Sequence, residues 1–142
     1  VLEVGVDGLL RFLAEVASVH PARIMVRRGG SLGVFSAERA TPLVMVLTEL
    51  VQNAIEHAFD SGENGTVTIR SERSARWLDV IISDDGRGLP PGFSLESSDR
   101  LGLQIVRTLV TAELGGSIGL HPGADIGTDA VLRVPLGRRS GR

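Results

Sequence analysis

Between Trp77 and Asp84 apolar side chains fall on every second position, so Leu78, Val80 and Ile82 share one face of a strand, and Asp84 continues that row. The same period of two runs from Thr66 to Arg73, with Val67 and Ile69 on one side and Thr66, Thr68, Arg70 and Glu72 on the other. It returns from Ala130 to Leu136, where Leu132, Val134 and Leu136 align. A sheet with one apolar and one mixed face needs a cover on one side only. Helical spacing elsewhere supplies that cover. Leu9, Leu10, Leu13 and Val16 predict a helix over Val6–Ala17, ended by His20-Pro21. Thr41 as N-cap and Pro42 at the first helical position open a second helix to Phe59. A third runs from Leu101 to Leu114 and stops at Gly115-Gly116. The expected fold class is an α+β two-layer sandwich, and because the elements do not alternate βαβα, a doubly wound parallel sheet is not expected.

The remaining segments follow from turn chemistry. Ile24–Arg27 and Leu32–Phe35 flank Arg28-Gly29-Gly30-Ser31 and predict a hairpin. Ser61–Gly65 predicts a turn, Ser117–His121 a strand, and Gly86–Arg100 a loop rich in Gly, Pro and Ser. Residues 1–136 are expected to form a single domain, with 137–142 a solvated tail. The chain opens on Val1 with no signal-peptide pattern, as expected of a piece of a longer protein.

Composition removes several kinds of chemistry. The 15 basic residues are all arginine, against 17 Asp and Glu, for a formal net charge of −2. That balance does not suit a duplex-binding protein, so no nucleic-acid partner is expected. With no lysine there is neither a Walker A loop nor a Schiff-base nucleophile. With no cysteine there are no disulfides, thiolate nucleophiles or Cys-based zinc sites. No apolar run is long enough to span a bilayer, so no membrane contact is expected of this domain.

Three features bear chemistry, and each alone has an ordinary structural reading. On the Pro42–Phe59 helix, Leu43, Val46, Leu47, Leu50, Ala54 and Ala58 form an apolar stripe. Glu49, Gln52, Asn53, Glu56 and His57 form a polar one, which is either a solvated face or one wall of a site. Asp84 ends an inward-facing row, where a carboxylate is costly unless something hydrogen-bonds to it. Asp84-Asp85-Gly86 is equally good turn chemistry. The stretch Gly86-Arg87-Gly88, followed by a loop into Leu101-Gly102-Leu103, places backbone N–H groups at a helix N-terminus, an anion site that needs no lysine.

Taken together these residues resemble a known family. Glu49-x3-Asn53-Ala54-x2-His57, then Asp84-x-Gly86-x-Gly88, Leu101-Gly102-Leu103 and Gly127-Thr128, is similar in order and spacing to the Bergerat ATP-binding fold of histidine kinases, gyrase, Hsp90 and MutL. Thr48–Phe59 resembles the N box of two-component histidine kinases. Arg100–Val106 resembles the second glycine box of their HisKA_2 branch, and with Glu38–Leu43 the pattern looks like that of PdtaS-type kinases. The resemblance implies a mixed, mostly antiparallel sheet covered on one face by about three helices. It implies ATP and Mg2+ as cofactors. Asp84, helped by Thr128, accepts a hydrogen bond from the adenine amine, and Asn53 supplies an oxygen to Mg2+. Glu49 orients or deprotonates the nucleophile, and His57 reaches ribose or phosphates. Gly86 and Gly88 let the backbone approach the nucleotide, and Gly102 and Leu103 start the helix that meets the triphosphate.

The implied activity is γ-phosphoryl transfer from Mg-ATP to a histidine on an upstream dimerisation domain of the same protein, for relay to a response regulator. The resemblance also implies a cytoplasmic location and a homodimeric full-length protein, with the acceptor histidine outside this chain. An anti-sigma-factor-type serine kinase of the same fold and a non-catalytic nucleotide-binding module are the alternatives. Three departures from the family pattern stand out. Glu56 holds the place of a common lysine, leaving Arg87, Arg100 or His57 to supply the cation. Arg100 replaces the first glycine of the second box, and Leu101 follows it directly. The loop from Gly88 to Leu101 is short, without a separate F box, and is expected to act as a lid. Two G-x-S-x-G matches, at Gly29–Gly33 and Gly115–Gly119, lack the strand-to-helix setting of a nucleophile elbow.

Overall fold

The computed structural model describes residues 3–18, 23–60, 62–96 and 100–136. In chain order the elements are β1 (Glu3–Gly5), α1 (Gly8–Ser18), β2 (Arg23–Gly29), β3 (Val34–Ser36), α2 (Ala37–Ala58), β4 (Asn64–Arg73) and β5 (Trp77–Asp84). Then come α3 (Leu101–Thr108), a π-helical turn (Leu109–Glu113), β6 (Ser117–Pro122) and β7 (Thr128–Pro135). A five-stranded sheet has the order β2-β4-β5-β7-β6, and β1 pairs with β3 in a separate two-stranded sheet. Only β2 and β4 run parallel within the large sheet; β4, β5, β7 and β6 pair antiparallel. The three helices pack on one face. Val67, Ile69, Leu78, Val80, Ile82, Leu132 and Val134 from the sheet meet Leu43, Val46, Leu47, Leu50 and Val51 of α2 and Leu103 and Val106 of α3 in one core. The two-layer sandwich and its mixed, mostly antiparallel sheet are as expected.

Two local expectations are corrected. The hairpin around Arg28–Ser31 does not form, because its two arms belong to different sheets. β2 pairs in parallel with β4, whereas β3 pairs antiparallel with β1. Tertiary contacts override the local turn signal. Arg73, at the end of β4, donates from Nη1 to the Leu32 carbonyl (2.6 Å) and from Nη2 to that of Val34 (3.0 Å), and stacks over Phe35 at 4.6 Å. Asp7 accepts from the Leu32 amide (2.8 Å), the Gly33 amide (3.2 Å) and the Ser31 hydroxyl (3.1 Å), so the connection is held from both sides.

The second correction concerns the start of α2. The helix begins at Ala37 with Ser36 as N-cap, so Pro42 lies inside it rather than at its first position. Pro42 removes one helical hydrogen bond. The preceding turn is nonetheless held by Arg39, which donates to the Pro135 carbonyl at 2.7 Å and the Leu114 carbonyl at 2.8 Å, and by burial of Ala40. The end of the third helix also differs in kind. Its last turn widens, with the Leu114 amide bonding to the Leu109 carbonyl at 3.0 Å and the Gly116 amide to that of Val110 at 2.9 Å. β1 has no counterpart in the sequence reading. The expected ending of α1 at His20-Pro21 and the expected tail at 137–142 lie outside the described residues.

Candidate functional site

The site is built where the sheet ends against α2. The register of β5 and β7 sets Asp84 directly opposite Thr128, with Val67 of β4 on its other side. Asp84 is 9% exposed, and it is the buried charged residue among those described. Its Oδ1 accepts from the Gly86 amide at 2.9 Å, so the turn role and the inward-facing row coexist in one side chain. Burial pushes the Asp84 carboxyl up from the ordinary carboxylate range, against the amide hydrogens of Gly86 and Thr128, and the charges bearing on it are the like-charged Asp85 and Asp129. A buried carboxylate with no cationic partner is costly, and such groups concentrate at functional sites.

Close packing explains two neighbouring glycines. A Cβ on Gly86 would lie 2.3 Å from the Ala58 carbonyl oxygen, and the adjacent Arg87 amide donates to that same carbonyl at 3.0 Å. Gly86 therefore docks the strand end on the C-terminus of α2. Gly127 has φ +78° and would place a Cβ 1.9 Å from the Asp84 carbonyl oxygen, so it lets the chain enter β7 beside Asp84.

A narrow cleft opens beside Asp84, lined among others by Asn53, His57, Gly88, Arg100 and Thr128. Ala54 and Ala58 of α2 and Leu89-Pro90 after Gly88 complete its walls. These four line the cleft, whereas the sequence reading assigned them to the core or the loop. The signal was the pair of small residues one turn apart, next to Asn53 and His57.

The other expected site residues divide. Asn53, His57, Asp84, Gly88, Arg100 and Thr128 come together in the cleft. Glu49 is half-buried one turn before Asn53, with its carboxylate against Gly102 at the start of α3. Gly86 packs on α2 rather than lining the cleft. Leu101 is 69% exposed, and Leu103, 1% exposed, belongs to the core. Of the three candidate cations, Arg87 pairs with Asp60 at 2.6 Å on the surface, with both side chains more than half exposed. Arg100 instead lines the cleft, donates from Nη1 to Asn53 Oδ1 at 3.2 Å and lies over the Phe93 ring at 5.6 Å. His57 lies in the field of both arginines; burial first, then Arg100 and Arg87 against the pull of Glu56, hold its imidazole below the ordinary histidine range. Neither G-x-S-x-G match joins a strand to a helix: the first lies between β2 and β3, and the second leads from the π turn into β6.

The family model described as histidine kinase-, DNA gyrase B- and HSP90-like ATPase matches residues 38–138, most of the chain and all of this cleft. The chain belongs to that ATPase family. Within the family, it is 68% identical over 136 residues to the sensor histidine kinase PdtaS of Mycolicibacterium smegmatis, covering 95% of this chain and 27% of that protein. The chain thus spans about a quarter of that relative's length. Among solved structures, the histidine kinase domain of the Erythrobacter litoralis blue-light activated histidine kinase superposes with a TM-score of 0.74 at 27% identity, covering 89% of this chain and 57% of that one. The catalytic domain of histidine kinase ThkA, in a nucleotide-free form, does so with a TM-score of 0.75 at 26% identity, covering 94% and 95%. These family members carry the same layered arrangement of sheet and helices.

Proposed function

We propose that this chain is the catalytic domain of a PdtaS-type sensor histidine kinase. It binds Mg-ATP in the Asp84 cleft and passes the γ-phosphoryl group to a histidine on a separate dimerisation domain of the same protein. The observation that carries the reading is the buried Asp84 beside Thr128 in a cleft that Asn53 and Arg100 also line. An ionised carboxylate only accepts hydrogen bonds; adenine offers an amine where guanine offers a carbonyl. GTP would leave two acceptors face to face in a buried site, which gives discrimination of about 10⁴-fold where a site is built around one polar group.

The donor set also fits a magnesium ion. Among the described residues no cluster of three or more His, Cys, Asp or Glu could hold a metal by itself. Asn53 lines the cleft, and its Oδ1, which accepts from Arg100 here, would turn to an ion carried largely by substrate phosphates and water once Arg100 engages the phosphates. Mg2+ bound there would neutralise phosphate charge during transfer. Arg100, already on Asn53, is the cation within reach of the phosphates and takes the place of the lysine that Glu56 displaces. Glu49 accepts the proton of the attacking imidazole as its nitrogen bonds to phosphorus and the bridging oxygen departs with ADP. The phosphoryl group then passes to an aspartate of a response regulator, the parent protein acts as a homodimer, and the domain works in the cytoplasm, where ATP is held.

The test is phosphotransfer to a histidine-bearing dimerisation domain, read as acid-labile phosphohistidine. Glu49→Gln is expected to slow transfer by about 10²- to 10⁴-fold, the usual range for a proton-transfer group. An unchanged rate would overturn the role given to Glu49.

A further inference from the structure

We infer that Gly102 is a positioning residue for the Glu49 carboxylate, and that the site needs its missing side chain rather than a special backbone conformation. The inference rests on the catalytic reading of Glu49. Gly102 is the second residue of α3 and is not among the glycines with positive φ, so an alanine would adopt its backbone without strain. In a helix, glycine costs about 1 kcal/mol relative to alanine. That cost needs a reason outside the backbone.

The surroundings supply one. A Cβ built on Gly102 meets Glu49 first: Oε2 at 2.4 Å, Cδ at 3.3 Å and Oε1 at 4.0 Å are its three nearest atoms. The contact is held in register from both sides. Arg100 reaches Asn53 Oδ1, one turn further along α2, while Leu103 and Val106 seat α3 in the core at 1% and 0% exposure. Towards the other end of α2, Arg39 holds the Leu114 carbonyl. Two helices fixed in this way cannot slide to relieve a clash at position 102. The carboxylate is the far end of a flexible side chain, so it would rotate away while the fold stayed intact. A methyl group at position 102 therefore moves the carboxylate off its place beside the cleft and leaves the protein folded.

A double-mutant cycle on phosphotransfer at saturating Mg-ATP tests this, because residues that act as a unit give non-additive losses. Gly102→Ala is expected to slow transfer by about 10-fold or more, the scale of a displacement near 1 Å. In a Glu49→Gln background the same change is expected to cost less than about twofold, since the group it displaces is already disabled. The melting temperature is expected to stay level or rise, because alanine favours the helix. Equal losses in both backgrounds, or no loss in the Glu49 background, would overturn the inference. An unchanged rate for Glu49→Gln alone would instead remove the catalytic reading on which it rests. The carboxyl carbon resonance of Glu49 in the isolated chain separates these failures: it is expected to shift on Gly102→Ala, and an unmoved resonance overturns the placement whatever the kinetics show.

Discussion

Asp84 and Thr128 are cross-strand partners at the ends of β5 and β7, and their pairing brings a carboxylate and a hydroxyl to the mouth of the cleft lined by α2. Placing that carboxylate there has a consequence for stability. Its pKa is raised, chiefly by burial, so the folded state resists its ionisation. Folding is therefore helped while the group is protonated and loses that help as pH rises through the folded pKa. Asp84→Asn is expected to melt no lower than wild type at neutral pH, with the difference shrinking as pH falls through the carboxylate range. A thermal melt series across pH reads this directly, and a mutant that melts well below wild type at neutral pH would contradict it.

Arg100 and Arg87 are expected to behave differently, although both were candidate cations in the sequence. Arg100→Ala should weaken ATP binding by about 10- to 100-fold, the range of a charge-assisted hydrogen bond. Arg87→Ala should change it less than about threefold, because its ion pair with Asp60 is exposed. Calorimetric titration of both variants checks the contrast.

Asp7 gives a prediction with the opposite sign to Asp84. Burial pushes its carboxyl up, but the Leu32 and Gly33 amides, the Ser31 hydroxyl and the Arg28 charge together bring it below the ordinary range. Its contribution to stability is present above the ordinary carboxylate pKa of the unfolded chain and is lost as pH falls through the lower folded pKa. Asp7→Ala is expected to cost about 1–2 kcal/mol at neutral pH, the worth of a few hydrogen bonds on a largely exposed group, and less at low pH. Denaturant melts at two pH values measure it.

Gly127 carries the most severe expectation. Its positive φ and the 1.9 Å approach of a built Cβ to the Asp84 carbonyl oxygen leave no room for a side chain. Gly127→Ala should destabilise by more than about 2 kcal/mol and weaken ATP binding as well, since the turn sets the Asp84–Thr128 register. Combined chemical denaturation and ATP titration check both effects.

The layered fold was legible because its strands carry strict alternation; β5, Trp77–Asp84, was readable to the residue, and Asp84 was placed inward by counting in twos. The cleft was legible as a set: Asn53, His57, Asp84, Gly88, Arg100 and Thr128 are scattered along the chain and meet only through the pairing of β5 with β7 and the packing of α3 on α2. What local pattern could not show was non-local. The partner of β2 is β4, some forty residues later, and the Arg73 and Asp7 clamps that separate β2 from β3 come from distant elements. Pro42 read as a helix start because local rules place proline there, yet Arg39 carries the helix through it by reaching carbonyls of the π turn and β7. The packing of Gly86 against Ala58 could not be read either, because it is invisible until α2 and β5 are side by side.

The central claim is that Asp84 is held at the strand end to receive an adenine amine, and titration of wild type and Asp84→Asn with ATP and GTP in Mg2+ tests it most directly. The account predicts that wild type binds ATP and ignores GTP, and that the mutant loses ATP binding by about 100-fold or more while remaining folded. Equal binding of both nucleotides by wild type, or undiminished ATP binding by a folded Asp84→Asn protein, would contradict it.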